Sequence, residues 1–444
     1  MEFSHANPST AHTTAALAQT NPTSATQYNQ FFMHDRVAQF ECWTLNGVKL
    51  QGDSSGYASL QLAPVFDRAL TCTSEDIDGG AASYDASVGL CAGSDPMAAG
   101  SYENGRNYYN GGSFYFGTLI SPAIETAREI TTLISSWDAL TPAGTWLQAH
   151  VRTLQNGTWT RWYNLPIWAS DISTVQRHSI EGQHDEGGRV DTDTYCTGEN
   201  RATAYQLGYT LFTTDPAISP IIKRISAIAS FDVAEASQFP VIGPDKSAWG
   251  INLLVPQRSQ NLAEYDNLGY GGGGGVWCSP TSISMVMAYW SKLLDRPDLT
   301  HTVPETARDI YDYTYDGTGN WPFNTAYTGE QGMRSFVTRL YSLSQVEQWI
   351  KCKVPLIISL AWKRDQLPGA DAAQTNGHLV VVRGFTAEGD VISNDPASPT
   401  NERVQHIYPR AIFEELWLQS SEGTVYINYP EVWSTPVEKA LGCW

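Results

Sequence analysis

Four side chains, far apart along the chain, could together perform acyl-transfer chemistry: Gln260, Cys278, His378 and Asp395. Cys278 stands in VWCSPTSISMVMAYWSKLL, where Ser279 is a fair helix N-cap and Pro280 falls where proline is tolerated, in the first helical turn. Ile283, Val286, Met287, Trp290 and Leu294 recur at three- and four-residue steps, so a helix over 279–294 with one buried face is expected. The Cys278 sulfur then lies at the start of that helix. Unpaired amides and the positive end of the helix dipole favour a thiolate over a thiol there. The run Gly271 to Gly275 just before it offers backbone without side chains, leaving room for substrate. No Gly-Lys-Ser/Thr follows the run, so it is not a phosphate loop. From this segment alone, a buried structural cysteine behind a loose loop would read equally well.

The base comes from a second segment. Gly377-His378 opens the apolar strand HLVVVRGF (378–385), and DVISNDP (390–396) reads as its partner across the turn TAEG. A hairpin brings the start of the first strand beside the end of the second, so His378 and Asp395 become neighbours at one edge. A carboxylate against an imidazole fixes its tautomer and supports its charged form, which in turn supports a thiolate. Asn394 competes for this place. Side chains alternate along a strand, so only one of the two can face His378, and Asp395 is preferred. Taken singly, a histidine at a strand mouth and an Asp-Pro turn are ordinary structure. An oxyanion donor, worth roughly 3–4 kcal/mol in acyl-transfer enzymes, can come from Gln260 in VPQRSQ together with the backbone N–H of Cys278. Gln257 is the second candidate.

The elements that must hold these residues fall into two groups. From 29 to 232 the chain shows short alternating runs broken by Gly, Asn and Pro: SFYFGTLISP (113–122), EITTLISSWDAL (129–140), TWLQAHVRTL (145–154), WTRWYNLPIW (158–168) and AYQLGYTLFTT (204–214). Such spacing predicts an antiparallel β-sandwich. Residues 233–248, with Phe239-Pro240 and Gly243-Pro244-Asp245, read as a linker. Over 249–444 a strand-like INLLVP (251–256), the glycine run, the Cys278 helix, a helix-then-strand segment (343–362) and the hairpin make an α+β plan. Residues 1–28 read as a polar disordered tail.

Bulk composition narrows the partners. With 46 acidic against 27 basic residues the formal charge is −19, which repels phosphate backbones and argues against nucleic acid and anionic membrane surfaces. No run of about 18 apolar residues occurs, so no membrane span is expected. The start lacks a basic segment followed by an apolar one and does not read as a signal peptide. Few lysines, many Thr, Asn and Trp, and the acidic balance lean toward a secreted protein. Seven cysteines fit one reactive thiol plus up to three disulfides, and Cys72 with Cys91, flanking a small-residue loop, is the first pairing expected. No spacing suggests a structural zinc site or any cofactor. His178, His184, Asp185 and Glu186 could suggest a metal but fit a solvated acidic loop better. Trp137, Trp146, Trp159, Trp162, Tyr163 and Trp168 could form a platform for sugar or peptide, or simply the core of the sandwich.

VPQRSQ, EYDN, VWCSPTSISMVMAYW, GHLVVVRGF and GDVISNDPAS, in that order, resemble the bacteriocin-leader-processing peptidase-like branch of the papain superfamily, nearest its stand-alone secreted bacterial members. NWPFNTAY (320–327), SNDPASPTNE (393–402) and WDALTPAGTWLQAHVRT (137–153) extend the resemblance over most of residues 100–430. The resemblance implies a papain-like cysteine peptidase fold behind the sandwich, with Cys278 as nucleophile, His378 as general base, Asp395 as its orienter and Gln260 as oxyanion donor. A peptide or amide substrate follows, with hydrolysis as the expected outcome. The same triad could instead pass the acyl group to an amine, and an inactive scaffold could bind a glycan or peptide.

Overall fold

The computed structural model describes residues 24–25, 28–77, 79–95, 110–231, 242–437 and 444. Most of the expected tail (1–28), the first part of the expected linker (233–248) and Cys443 lie outside the described residues.

The front half is built almost wholly of antiparallel strands. The principal ones are β1 (Asn29–His34), β2 (Ser113–Ile120), β3 (Ile124–Leu140), β4 (Thr145–Gln155), β5 (Tyr163–Trp168), β6 (Thr194–Thr197), β7 (Ala202–Thr213) and β8 (Ile221–Phe231). One layer runs β2–β7–β4–β5 and the other β1–β8–β3–β6. The 17-residue β3 joins them, since its first turn of chain pairs with β7 and the rest with β8. Trp137 and Ser135 of β3 face the other layer, where Ser135 Oγ is 2.7 Å from the Tyr209 hydroxyl and the Trp137 ring meets Tyr209 edge-on. The expected sandwich is therefore present, with its two layers continuous through β3. The Cys72–Cys91 disulfide expected from the sequence forms in this half.

The second half follows the α+β plan. It contains α1 (Cys278–Leu294), α2 (Val303–Ile310), α3 (Trp321–Glu330), β9 (Met333–Arg339), α4 (Leu343–Lys351), β10 (Leu356–Trp362), β11 (Thr375–Phe385), β12 (Val391–Asn394), β13 (Gln405–Tyr408), α5 (Arg410–Ser421) and β14 (Thr424–Pro430). The strands form one antiparallel sheet in the order β9–β14–β10–β11–β12–β13. Helix α1 is buried on every side from Ser279 to Ser291, not on one face alone, because it packs against β11, α2 and α3. Its small polar residues make this possible: Ser282 Oγ donates to Leu379 O at 3.1 Å and Ser284 Oγ to Thr281 O at 2.8 Å. None of the described helices is long and apolar enough to cross a membrane.

Two local expectations fail. The N-cap of α1 is Trp277, not Ser279, so Cys278 is the first helical residue. Ser279 instead turns into the core, where its hydroxyl donates to Asn324 Oδ1 at 2.8 Å. INLLVP is not a strand and makes only a single bridge, Asn252 with Gly384. There the chain crosses β11 so closely that a Cβ on Gly384 would lie 2.0 Å from Ile251 O, leaving no room for a regular ladder.

The two halves are fused along β3, β8 and β9. Ser136 and Asp138, on the face of β3 turned away from the sandwich interior, are as buried as Ser135 and Trp137, since β9 and α3 cover them. Ser136 Oγ accepts from Val337 N at 3.1 Å, and the Asp138 carboxylate is ion-paired with Arg224 while facing Gly329. Arg334 reaches back to Asp35. Phe31 packs on Phe336 and Trp168 on Phe323, with ring centres 5.0 Å and 5.3 Å apart. Residues 242–248 are tied to α4: Asp245 accepts from Lys351 Nζ at 2.7 Å while its backbone N–H donates to Glu347.

Candidate active site

Cys278 sits at the amino end of α1, and its first-turn N–H has no acceptor within the helix. The segment before it is positioned by glycine. Gly271, Gly272 and Gly273 have φ of 86°, 110° and 95°, a region other residues rarely adopt. A Cβ on Gly274 would lie 2.1 Å from Gln260 O, so only glycine lets this loop press against the Gln260 backbone. That contact places Gly275 O 3.0 Å from Gln260 Nε2, which fixes the glutamine side chain beside the Cys278 segment. From the other side, Gln260 N donates to Pro396 O at 2.9 Å, linking it to the turn that carries Asp395.

His378 lies on β11, buried, with Nε2 2.7 Å from Asp395 Oδ1. Cys278 lies near enough to the ring to act on its charge, and the two side chains line the same cleft. The strand register pairs Val381 with Asn394, so Asp395 stands opposite Val380 and meets His378 diagonally along the same face. Asn394 points the other way. Its Oδ1 accepts from Arg383 at 2.9 Å, and its Nδ2 donates to Pro256 O at 3.1 Å, anchoring the segment that leads to Gln260. The alternation inferred from sequence thus separates the two candidates as expected.

Three further groups hold the pair, and none was foreseen. The Tyr408 hydroxyl donates to Asp395 Oδ2 at 2.6 Å, and Ala397 N donates to Oδ1 at 2.9 Å. Trp362 places its ring edge-on to His378, with centres 5.4 Å apart, and is itself fixed by a hydrogen bond from Nε1 to Ala372 O. Tyr408 was legible only through strand pairing, since it stands opposite Val391 on β13, a strand no sequence period announced.

Electrostatics follow from this packing. Burial by itself would hold the His378 ring neutral, but the Asp395 carboxylate and the nearby Cys278 sulfur outweigh it and raise the ring well above the ordinary imidazole range. Burial would likewise raise Asp395. The His378 ring, the Tyr408 hydroxyl and the Ala397 amide instead hold it well below the usual carboxylate range.

All of Gln260, Cys278 and His378 open onto one cleft of about 900 Å³. One wall belongs to the second half, with Gly275, Val276, Tyr315, Asp316 and Leu360. The other belongs to the front half, with Thr132, Asp191, Thr192, Asp193, Thr194 and Cys196. Gln257, the second oxyanion candidate, does not line it.

Residues 30–230 match the family model for the Peptidase C39 N-terminal domain, and residues 252–425 match that of the Peptidase C39 like family. The chain belongs to the C39-like peptidase family. Among solved structures, a C39-like peptidase from Bacillus anthracis is 17% identical, covering 40% of this chain and 96% of that one, with a TM-score of 0.28. The C-terminal CBM6 of a marine laminarinase from Zobellia galactanivorans is 11% identical over 44% of this chain and 98% of that one, with a TM-score of 0.19. No match is found among curated proteins.

The remaining sequence candidates lie in the C39 N-terminal domain. Trp137, Trp146, Tyr163 and Trp168 are fully buried core. Trp159 and Trp162 are partly exposed, and the Arg152 guanidinium lies over both rings at 5.0 Å and 4.6 Å from their centres. His178 is buried with Nδ1 2.7 Å from Gln176 O, while His184 is exposed and Asp185 is taken up by Arg161 and Tyr163. These four candidates do not converge on a common point.

Proposed function

We propose that the chain is a cysteine peptidase in which Cys278 is the nucleophile, His378 the proton carrier, Asp395 its orienter and Gln260 the oxyanion donor. The observation that carries this reading is the position of His378, held by Asp395 on one ring nitrogen and lining one cleft with Cys278, whose sulfur helps to raise the ring's proton affinity. The charged ring supplies the counter-charge for a thiolate, which attacks the scissile carbonyl carbon. The oxyanion that forms takes two donors: the second amide proton of Gln260, whose first goes to Gly275 O, and the backbone N–H of Cys278. His378 gives its proton to the departing amine as the C–N bond breaks, leaving a thioester. Water then attacks the thioester, His378 takes its proton, and the acid leaves as the thiol is restored. Asp395 keeps the ring in one orientation throughout, and Tyr408 keeps Asp395 charged.

The Cys72–Cys91 disulfide supports an extracellular setting, where such bonds persist. The chemistry is tested by incubating a diverse peptide library with the wild type and with Cys278→Ala, then reading products by mass spectrometry. Cleavage by the wild type alone is expected. Equal cleavage by both proteins would sink the assignment.

A further inference from the structure

Residues 311–320 join α2 to α3, and Tyr315, Asp316, Gly317, Thr318 and Gly319 among them line the cleft. The segment forms no helix or strand of its own, only a turn closed by two backbone bonds between Asp312 and Gly317. Both of its ends are held from the N-terminal domain. At the end of α2, where the last carbonyls have no partner within the helix, Arg308 O accepts from Arg177 Nη1 at 2.9 Å. At the start of α3, Trp321 N donates to Asp193 Oδ2 at 2.6 Å. Pro322 has no N–H and the N-cap Asn320 serves Phe323 N, so Asp193 takes the first amide of that helix. A cation at a carboxyl end and an anion at an amino end both match the helix dipole. Between the two, Tyr313 N donates to Arg177 O at 3.1 Å and Ser179 N to Asp312 Oδ1 at 3.0 Å. Arg177, Asp193 and Asp312 are all buried, so water competes little for these bonds.

The same segment is bonded to the chain on both sides of the nucleophile. Thr318 Oγ1 donates to Val276 O at 3.4 Å, two residues before Cys278. Asn324 Nδ2 donates to Thr318 O at 3.0 Å and to Asn320 O at 2.8 Å, while its Oδ1 accepts from Ser279, the residue after Cys278. We infer that the N-terminal domain positions the nucleophile: Arg177 and Asp193 fix residues 311–320, and these fix residues 276–279. The inference rests on the reading of Cys278 as the nucleophile. It makes Arg177, Asp193 and Thr318 positioning residues that act through the backbone of the cleft wall and touch no substrate.

The test uses the full chain and two readouts that need no turnover: hydrogen exchange of the 311–321 amides by mass spectrometry, and the rate at which iodoacetamide alkylates Cys278. Asp193→Ala should speed exchange in 311–321 roughly fivefold, the scale of one lost helix cap, and slow the alkylation of Cys278. Asp193→Asn keeps an acceptor for Trp321 N and should return both readouts to near the wild-type values. Thr318→Val, an isosteric change in the peptidase domain, should slow alkylation by the same route. The double variant Asp193→Ala/Thr318→Val should then be no slower than the more affected single variant. If Asp193→Ala does not fold, Arg177→Lys is read in the same way. It keeps the charge but loses the fork that spans the Ala169, Ser170 and Arg308 carbonyls. Unchanged exchange in 311–321, faster exchange spread evenly over the whole molecule, unchanged alkylation, or additive slowing in the double variant overturns the inference. A wild type that cleaves no peptide would count against the peptidase reading alone, since neither readout requires cleavage.

Discussion

At His378 burial and charge pull in opposite directions, and charge wins because Asp395 is 2.7 Å away on the same sheet face. The pH consequences follow in sign. The His378 value is raised on folding, so its stabilising contribution is complete below about 6.5, the ordinary imidazole value, and is lost as pH rises through the higher folded value. The Asp395 value is lowered, so its contribution is present above about 3.9 and is lost as pH falls through the lower folded value. Wild type should therefore exceed Asp395→Asn in urea midpoint most strongly near neutral pH, with the gap closing in strong acid and strong alkali. The same raised value places the alkaline limb of kcat/KM well above 6.5. Tyr408→Phe removes a donor to Asp395 and should shift the acid-side loss of the Asp395 contribution to higher pH, which urea midpoints measured across the acid range would reveal. Cys278→Ala should lower turnover by roughly four orders of magnitude, with little change in melting temperature, because the side chain is half-buried at the edge of a cleft.

Among the elements, those that carry the site were legible where one local rule dominated. Helix α1 and the β11–β12 hairpin declare themselves through apolar spacing and a short turn, and the Asn394/Asp395 choice needs only strand alternation. Contacts between distant segments were not legible. Tyr408 reaches Asp395 through strand order, Ser279 is drawn from a capping role by Asn324, and the crossing at Gly384 prevents 251–256 from pairing as a strand. The glycine run shows how tertiary contact gives a local feature its meaning. It looked like space for substrate, and Gly271 and Gly275 do line the cleft, but Gly274 is held by its approach to Gln260 O. Gly274→Ala should push the loop off Gln260, lowering kcat/KM at least roughly tenfold through loss of oxyanion alignment. Steady-state kinetics with a melting curve would separate this from general unfolding.

For the whole molecule, the decisive feature is that β3 is buried on both faces, one by the sandwich interior and the other by β9 and α3. The segment LISSWDAL mixes apolar, small and charged residues without strict alternation, so sequence could mark a strand there but not the second layer covering it. Asp138 and Arg224 sit in that buried seam. Arg224 also pairs with Glu431 and Asp35, whereas Arg224 is the only cation paired with Asp138 among the described residues, so Arg224→Ala strands the Asp138 charge and should cost about 3–5 kcal/mol in urea unfolding. Because the seam is continuous, both domains should melt in one transition by calorimetry.

Catalysis is assigned to one sulfur, whose reactivity alkylation reads out. Four free thiols are found among the described residues: Cys42, Cys196, Cys278 and Cys352. Burial raises Cys42, Cys196 and Cys352 above the ordinary thiol value, which slows their reaction. With limiting iodoacetamide at neutral pH, peptide mapping should show Cys278 modified first, with activity falling in step with that single label. Labelling of the exposed Cys42 ahead of Cys278, or full activity in protein already alkylated at Cys278, would rule out Cys278 as the nucleophile.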